Sequence, residues 1–462
     1  MNPKKKPNAR KLATRLIHHN LDAKPSHAGE ERSFHPDVWD FEHHVVPPIS
    51  ASTTFRFDDT DHGAQSFQDF ADPESVHAPS IYDRLGEPSK YLLEAHLADA
   101  EGGRMAVTFA SGMGAVAGVL GALLHQGEHV VAHKRLYGCT DTLLHKWLKD
   151  HFGIQVDRVD LREPDQLESA LRDETRVIYF ETPVNPTMEL IDIASISAAV
   201  ARHNTRRAEK SRIYVVVDNT FATPYCQRPL EQGADFVVHS LTKGIGGFGT
   251  TMGGAVIGWT KGKNQAKEEK ELLEMRRSLL LFRKDFGSVL APQSAWNILT
   301  YGLPSLPPRM QWAQTSAKQI ATWLHHHEAV DRVVYPGLAQ AADYKLAKRQ
   351  MCTPDGTFAP GILLYFELKG ENETNQFWQA KALMDILAQP GHAITLAVSL
   401  GHARTLIEHP ASMTHATLTA QEQKQRGIPQ SGIRMSVGLE APEDLICDLD
   451  GAFRMLKHAQ LS

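Results

Sequence analysis

Short runs of apolar residues alternate with longer segments of mixed polarity from about residue 76 onward. Four runs are rich in β-branched and aromatic residues and are too short for helices, so they predict strands at 176–180, 213–217, 235–238 and 254–257. Helix-like segments lie between them, at 164–172 and 193–203. Alternating strands and helices are typical of a mainly parallel sheet with helices on both faces. The pattern therefore predicts an α/β fold.

The periodicity also predicts three parts of the chain. Residues 1–75 are rich in Pro, His, Asp and Ser and predict an arm with few regular elements. Residues 76–300 contain the alternating pattern and predict a large domain. Residues 301–462 predict a smaller C-terminal α/β domain, with a long helix at 310–328 and a strand at 362–367.

Two segments near the boundary of these domains have unusual composition. Residues 261–277 are highly charged and predict a solvated helix or a surface insertion. Residues 304–308 contain three prolines and predict a turn.

Composition narrows the class of protein. The chain has 462 residues, of which 42% are hydrophobic and 22% charged, as expected for two or three globular domains. Its net charge is −5, from 49 basic and 54 acidic residues, which does not favour nucleic-acid binding. The basic start of the chain predicts a frayed N-terminus rather than a transit peptide.

No feature of the sequence favours a metal, a disulfide framework or a membrane span. The four cysteines form no CxxC pair, and no signal peptide opens the chain, so a cytoplasmic setting with free thiols is expected. The 24 histidines show no ligand spacing such as HExxH. Residues 105–124 are uncharged, but their four glycines predict a buried strand, turn and helix rather than a transmembrane helix.

Chemical groups follow two neighbouring predicted strands. Asp218 ends one strand, and Ser240, Thr242 and Lys243 follow the next. The carboxyl ends of parallel strands meet at one edge of a sheet, where ligands bind. A lysine that forms an imine, a carboxylate that keeps a pyridine nitrogen protonated, and hydroxyls that bind phosphate are what pyridoxal phosphate requires. A surface lysine in a glycine-rich loop would be the better interpretation without Asp218.

Residues 244–249 also fit GxGxxG, the dinucleotide-binding pattern. That motif requires a helix after the glycines, whose N-terminus binds the pyrophosphate. The following residues, 250–258, predict a strand instead, which argues against a nicotinamide dehydrogenase. A second candidate phosphate element is the small-residue turn at Ser111, Gly112 and Met113, where a predicted strand meets a predicted helix. A tight core turn is its alternative interpretation.

These residues resemble the transsulfuration, or Cys/Met metabolism, family of pyridoxal-phosphate enzymes. The resemblance extends from about Ala13 to Glu440 and is most specific at 216–243 and in Ser399-Leu-Gly with His409-Pro-Ala-Ser-Met-Thr-His. It implies a fold-type I PLP-dependent transferase, with an arm, a large cofactor domain and a small C-terminal domain. It also implies tetramers assembled from dimers that share their active sites, with no nucleic-acid or membrane partner.

The resemblance implies roles for the cofactor site. Lys243 would form the Schiff base with pyridoxal 5'-phosphate, and Asp218 would pair with the ring nitrogen. Asn185 would lie near the ring hydroxyl. The residues expected to bind the phosphate are Gly112, Met113, Ser240 and Thr242 of the same subunit, with Tyr82 and Arg84 reaching it from the neighbouring one.

It also implies roles at the substrate. Tyr137 would stack on the cofactor ring and act as general acid or base at the leaving group. Arg434 and Ser399 would bind the substrate carboxylate, for which the planar guanidinium is well suited. Cys139 would line the pocket, although a small core residue is an equal alternative.

The chain departs from the family pattern at several positions. Glu87-Pro-Ser stands where the family has Asn-Pro-Thr, Gly244 where it has an aromatic residue, and Phe248 where it has His. These changes affect substrate choice more than the cofactor. The cysteine at position 139 resembles the pattern of the methionine γ-lyases, whereas Arg404-Thr-Leu resembles that of the O-acetylhomoserine sulfhydrylases. Cystathionine enzymes tend to have an acidic residue at the position of Arg404.

The sequence therefore favours γ-elimination on methionine or a related sulfur amino acid, giving 2-oxobutyrate, ammonia and a thiol. The alternative is γ-replacement, as in O-acetylhomoserine sulfhydrylase or cystathionine γ-synthase. A remote alternative is a PLP-binding protein without catalytic activity, against which the presence of Lys243, Tyr137 and Arg434 together argues.

Overall fold

The computed structural model describes residues 11–18, 44–72, 80–260, 265–414, 416, 419–425 and 427–461. The basic start of the chain and much of the predicted arm lie outside these residues. The described part contains two β-sheets, each packed against helices. The larger sheet precedes the smaller one in the sequence.

The larger sheet has seven strands in the order β1-β7-β6-β5-β4-β2-β3. Only β7 runs antiparallel to its neighbours. The seven strands are β1 (Gly103–Phe109), β2 (His129–His133), β3 (Gln155–Val159), β4 (Thr175–Glu181), β5 (Tyr214–Asp218), β6 (Phe236–Ser240) and β7 (Gly254–Thr260). The predicted α/β fold with a mainly parallel sheet is confirmed, and each of the four predicted strands coincides with one of these.

The smaller sheet has five strands in the order β10-β11-β12-β9-β8 and is mainly antiparallel. Its strands are β8 (Val330–Val334), β9 (Leu363–Leu368), β10 (Thr395–Leu396), β11 (Leu406–Glu408) and β12 (Gly432–Ser436). The predicted strand at 362–367 corresponds to β9.

Helices cover both sheets. In chain order they are α1 (Leu12–His18), α2 (Thr60–Ala71), α3 (Pro88–Glu101), α4 (Gly112–Leu123), α5 (Gly138–Thr142), α6 (Lys149–Phe152), α7 (Pro164–Ala170), α8 (Ile193–Asn204), α9 (Thr223–Cys226), α10 (Gln265–Phe286), α11 (Pro292–Asn297), α12 (Leu303–His326), α13 (Tyr344–Gln350), α14 (Glu373–Leu387), α15 (Ala420–Gln425) and α16 (Pro442–Leu461). The π-helical stretches Leu143–Leu148 and Ile298–Gly302 connect α5 to α6 and α11 to α12.

The uncharged segment at 105–124 forms strand β1, a turn and helix α4, as predicted. Val107 and Phe109 of β1 pack with Val116 and Val119 of α4 in a buried cluster on one face of the larger sheet. On the opposite face, α3 packs through Leu93 and Leu97. Among the described residues, no helix is long and apolar enough to cross a bilayer.

The prediction of a turn at 304–308 is wrong, because these residues begin helix α12. Pro304 directly follows a helical stretch, and Pro307 and Pro308 lie inside the helix, where their missing N–H groups leave carbonyls of the preceding turn without a backbone donor. The Gly302 carbonyl at the start of α12 accepts hydrogen bonds from Ser305 Oγ (3.2 Å) and Arg309 Nη2 (2.9 Å), so side chains of the same helix satisfy it. The preceding π-helical stretch already departs from regular α-helical bonding.

The charged segment at 261–277 enters helix α10, apart from 261–264, which lie outside the described residues. The helix is solvated on one side only, since Leu272 and Leu279 are buried against the larger sheet. The predicted domain boundary at residue 300 stays a prediction. It falls inside a continuous helical run, and Leu299 and Met310 from its two sides share one core cluster with Leu363 of β9.

Candidate functional site

The carboxyl ends of three neighbouring parallel strands converge on one crevice. Glu181, Asp218 and Ser240 are the last residues of β4, β5 and β6. Asp218 pairs in register with Glu181 on one side and with Val238 on the other. Lys243 follows β6 directly. The structure thus brings together the two groups that the sequence singled out.

The Lys243 amine donates a hydrogen bond to Ser399 Oγ, at 2.7 Å. Burial lowers the pKa of the Lys243 amine, and the nearby positive charge of Arg434 lowers it further, whereas Glu408 opposes the shift. A lowered pKa makes the neutral, nucleophilic amine accessible closer to neutral pH. Ser399 itself has φ of 91°, which is unfavourable for a residue with a side chain.

The loop after Lys243 is fixed by a helix from the C-terminal half of the chain. The buried Arg309 side chain of α12 donates to the carbonyls of Gly244 (2.9 Å) and Ile245 (3.1 Å). Close packing explains the departure at Gly244: a Cβ at this position would lie 2.8 Å from Thr223 Cγ2. The Phe248 ring lies 5.3 Å from the Arg309 guanidinium carbon.

The Asp218 carboxyl group is half-buried and has no lysine or arginine partner in the described part of the chain. Burial raises its pKa, while hydrogen bonds from Thr220 and Tyr179 and the charge of His239 lower it. Its Oδ1 accepts from the Thr220 backbone N–H at 2.9 Å. A half-buried carboxylate lacking a basic partner is a suitable counter-ion for a protonated ring nitrogen.

A candidate phosphate cradle lies between the N-terminus of α4 and the end of β6. Ser111 caps α4 through its Oγ, which accepts from Gly114 N at 3.1 Å. A Cβ on Gly112 would lie 2.7 Å from Ser240 Cβ, so only glycine permits this approach. Backbone N–H groups at a helix N-terminus, beside a serine hydroxyl, fit a phosphate.

The other two predicted phosphate residues are engaged elsewhere. Thr242 Oγ1 accepts from Gly253 N at 3.1 Å and lies 3.3 Å from Gly253 O. The Met113 sulfur lies 3.7 Å from Thr140 Oγ1. A direct role of either side chain at the phosphate stays a prediction.

The Arg434 guanidinium group is buried at the same crevice. It donates to Asn185 Oδ1 and to the Ser399 carbonyl, each at 2.9 Å, and lies 3.0 Å from Glu408 Oε1. Burial raises the pKa of Glu408, and Arg434 and Lys243 oppose the shift. Asn185 therefore contacts the expected carboxylate clamp, and its proximity to a cofactor hydroxyl stays a prediction. The carboxylate of Glu408, which lies against Arg434, was not expected from the sequence.

Tyr137 lies at the mouth of the crevice, with 45% of its surface exposed. Its backbone N–H donates to Glu181 Oε1 at 2.6 Å, so the end of β4 positions it. The neighbouring Cys139 thiol, partial burial and the charge of Glu181 raise the pKa of the phenol to about 12, whereas Arg434 opposes the shift. The phenol is therefore protonated at neutral pH, which is the state that a general acid needs. Cys139 is exposed beside it.

Tyr82 and Arg84 are exposed, with the Arg84 guanidinium carbon 5.4 Å from the Tyr82 ring centroid. Arg84 Nη1 donates to the Lys284 carbonyl at 3.1 Å. Their predicted contact with a neighbouring subunit's phosphate stays a prediction. The departure at Glu87 has a local explanation, since its carboxylate caps α3 by accepting from Ser89 N and Lys90 N.

Several groups that build this site gave no signal in the sequence. Arg309 lies between the predicted turn at 304–308 and the predicted helix at 310–328, and Glu408 lies in no predicted element. Their roles depend on contacts between distant parts of the chain. Glu181 could have been found, because it directly follows the predicted strand at 176–180, as Asp218 directly follows the predicted strand at 213–217.

A family model described as Cys/Met metabolism PLP-dependent enzyme matches residues 34–454. An L-methionine gamma-lyase of Pseudomonas deceptionensis is 40% identical over 413 residues, which cover 89% of this chain and 93% of the relative. A cystathionine beta-lyase of Lactococcus lactis subsp. cremoris is 38% identical over 371 residues, covering 80% and 87%.

A solved structure from Campylobacter jejuni is similar throughout, with a TM-score of 0.81 and 30% sequence identity. The match covers 96% of this chain and 100% of the other. That structure bears the name of an O-acetylhomoserine (thiol)-lyase and contains a lysine joined to a pyridoxyl phosphate group.

Proposed function

The chain belongs to the Cys/Met metabolism family of pyridoxal-phosphate-dependent enzymes, and on that premise we propose that it catalyses γ-elimination on methionine or a closely related sulfur amino acid. The products are 2-oxobutyrate, ammonia and a thiol. The similarity to methionine γ-lyases over most of the chain supports this choice. The observation that carries it is the convergence of the Lys243 amine, the Arg434 guanidinium and the protonated Tyr137 phenol on one crevice.

Lys243 is proposed as the residue that holds the cofactor and then moves protons at the substrate carbons. The bound cofactor supplies an electron sink for the negative charge left at the α-carbon. The hydrogen bond to Ser399 Oγ orients the amine, and its lowered pKa favours the neutral form that can accept a proton.

Arg434 is proposed to bind the substrate carboxylate. Its guanidinium group is held by Asn185 and the Ser399 carbonyl, so its orientation is fixed before substrate arrives. Glu408 balances its charge in the buried site. Ser399 thus connects the substrate clamp to the lysine, through its carbonyl on one side and its hydroxyl on the other.

Assembly and location are also part of the proposal. We propose a homotetramer, a dimer of dimers, in which Tyr82 and Arg84 complete the cofactor site of the neighbouring subunit. Their exposure supports a role at an interface. A cytoplasmic location is proposed from the absence of a cysteine framework in the sequence.

The proposal is tested by supplying L-methionine alone to the purified protein with its cofactor. We expect methanethiol and 2-oxobutyrate to be released in equal amounts, measured by a thiol reagent and by a lactate dehydrogenase-coupled assay. Release of neither product from methionine, with turnover of O-acetylhomoserine in the presence of sulfide, would instead support γ-replacement. The observation that supports γ-replacement as the second candidate is the similarity to the structure named as an O-acetylhomoserine (thiol)-lyase.

Tyr137→Phe is expected to lower kcat for methionine by about 10²–10⁴-fold, because it removes the proposed proton donor at the leaving group. Cofactor binding should change little, since the ring can still stack. The measurement is steady-state thiol release, with Tyr344→Phe on α13 as the control for loss of a tyrosine hydroxyl. An unchanged kcat would exclude Tyr137 as the general acid.

A further inference from the structure

A buried carboxylate lies on the face of the larger sheet opposite the cofactor crevice. Glu101 is the last residue of α3, and 1% of its surface is exposed. Side chains alternate between the faces of a strand. Val216 and Val238 pack with α4 on the crevice face, whereas Val237 packs with α3 on the other. Glu101 is therefore separated from the proposed cofactor site by the sheet.

One oxygen of Glu101 connects the ends of β5 and β6. Glu101 Oε1 accepts from Asn219 Nδ2 at 2.8 Å and lies 2.5 Å from His239 Nε2. Asn219 directly follows Asp218, and His239 directly precedes Ser240. The Glu101 carboxylate thus connects Asn219, the neighbour of Asp218, with His239, the neighbour of Ser240. Asp218 is the proposed anchor of the cofactor ring, and Ser240 is the proposed anchor of its phosphate.

The bridge is supported by further bonds between the same strand ends. Asn219 N donates to Val238 O at 3.0 Å, and Ser240 N donates to Thr220 Oγ1 at 2.8 Å. The Asn219 side chain also donates to the Gln227 carbonyl, at 2.9 Å. Asn219, His239 and Gln227 are each at most 1% exposed. Water therefore cannot readily replace any of these bonds.

We propose that Glu101 is a positioning residue that sets the distance between Asp218 and Ser240 from behind the sheet, and that tight binding of pyridoxal phosphate depends on it. Pyridoxal phosphate engages both anchors at once, so its affinity depends on their spacing. Glu101 touches neither the cofactor nor the substrate. The proposal rests on the cofactor and not on the choice of substrate, so it can fail or succeed independently of methionine turnover.

Asp235 offers a matched control at the opposite end of the same two strands. Its Oδ2 accepts from Val215 N at 2.8 Å, so it connects the residue before β6 to β5, and its side chain is 12% exposed. Asp235→Asn should therefore lower the melting temperature of the protein without altering the spacing at the crevice. Any effect peculiar to Glu101 then reports on the site and not on general loss of stability.

The test compares two cofactor forms that differ only in the phosphate. Apoprotein of the wild type, Glu101→Leu, Glu101→Gln and Asp235→Asn is titrated with pyridoxal phosphate and separately with pyridoxal, and the visible band gives each Kd. We expect Glu101→Leu to raise the Kd for pyridoxal phosphate by about 10–100-fold, by analogy with the loss of outer-shell groups that orient metal ligands. The Kd for pyridoxal, which uses the ring anchor alone, should change by a much smaller factor.

Glu101→Gln retains the shape of the side chain and one acceptor oxygen, so its effect should be smaller and in the same direction. Equal losses for both cofactor forms, or no loss, would show that Glu101 contributes only to folding and would overturn the proposal. If the Glu101→Leu protein does not fold, the Glu101→Gln protein is used instead. In that protein, a ratio of the Kd for pyridoxal phosphate to the Kd for pyridoxal equal to that of the wild type would reject the positioning role. Asp235→Asn should keep the wild-type ratio.

Discussion

Replacing Lys243 by alanine is expected to remove the visible absorption band of the cofactor-loaded protein and to lower turnover by about 10⁴-fold or more. The reason is that the side chain has two proposed tasks, attachment of the cofactor and proton transfer at the substrate carbons. No other described lysine follows the end of β5 or β6 at the crevice. The measurements are an absorption spectrum, borohydride reduction followed by peptide mass analysis, and product release.

Lys134→Ala provides the control for loss of a lysine. Lys134 directly follows β2 in the same sheet, is 40% exposed at its side chain, and pairs with Asp160 at 2.6 Å. That variant should keep both the band and the activity. If the Lys243 variant kept its visible band, or if borohydride fixed the cofactor to a different lysine, the central assignment of the site would be wrong.

Asp218→Asn is expected to lower kcat by about 10²–10³-fold, a cost comparable to loss of a preorganised electrostatic contact in an active site. The amide has nearly the same shape as the carboxylate but carries no charge, so it cannot stabilise a protonated ring nitrogen. The cofactor should still attach to Lys243, because the amine and the phosphate cradle are unchanged. The Asp218→Asn protein should therefore keep the visible absorption band of the cofactor and have a low kcat.

Ser240→Ala makes the matching comparison at the other anchor. It removes a proposed phosphate contact, so the Kd for the cofactor should rise while kcat at saturating cofactor stays near that of the wild type. The two variants thus separate electronic activation from binding. An Asp218→Asn protein with normal kcat would show that the Asp218 carboxylate does not act on the ring nitrogen.

The strands that end at the site could be predicted from the sequence, because their apolar residues are buried on both faces. Asp218 and Lys243 stood out because each lies at or shortly after the carboxyl end of a predicted strand, where ligands of parallel sheets bind. Parallel pairing of β5 with β6 then brings them together. The helix at the Pro-rich segment was missed because proline in a helix interior removes a backbone donor and is usually unfavourable, yet Pro307 and Pro308 lie inside α12.

The groups that hold the site rigid could not be predicted. Arg309 reaches the loop after Lys243 from a helix more than sixty positions later in the chain, and Glu408 meets Arg434 across paired strands. Sequence periodicity describes which face of an element is buried, but it does not describe which element lies opposite. Polar contacts of this kind become visible only when the chain is folded.

Ser399 illustrates what such a site requires of the protein that carries it. Its left-handed backbone is unfavourable by about 1–3 kcal/mol, while its hydroxyl and carbonyl connect Lys243 and Arg434. Glycine would adopt the same backbone without that cost but would lack the hydroxyl group. Thermostability and catalysis are therefore opposed at this position. Directed evolution for heat resistance alone would favour the substitution that disconnects the substrate clamp from the lysine.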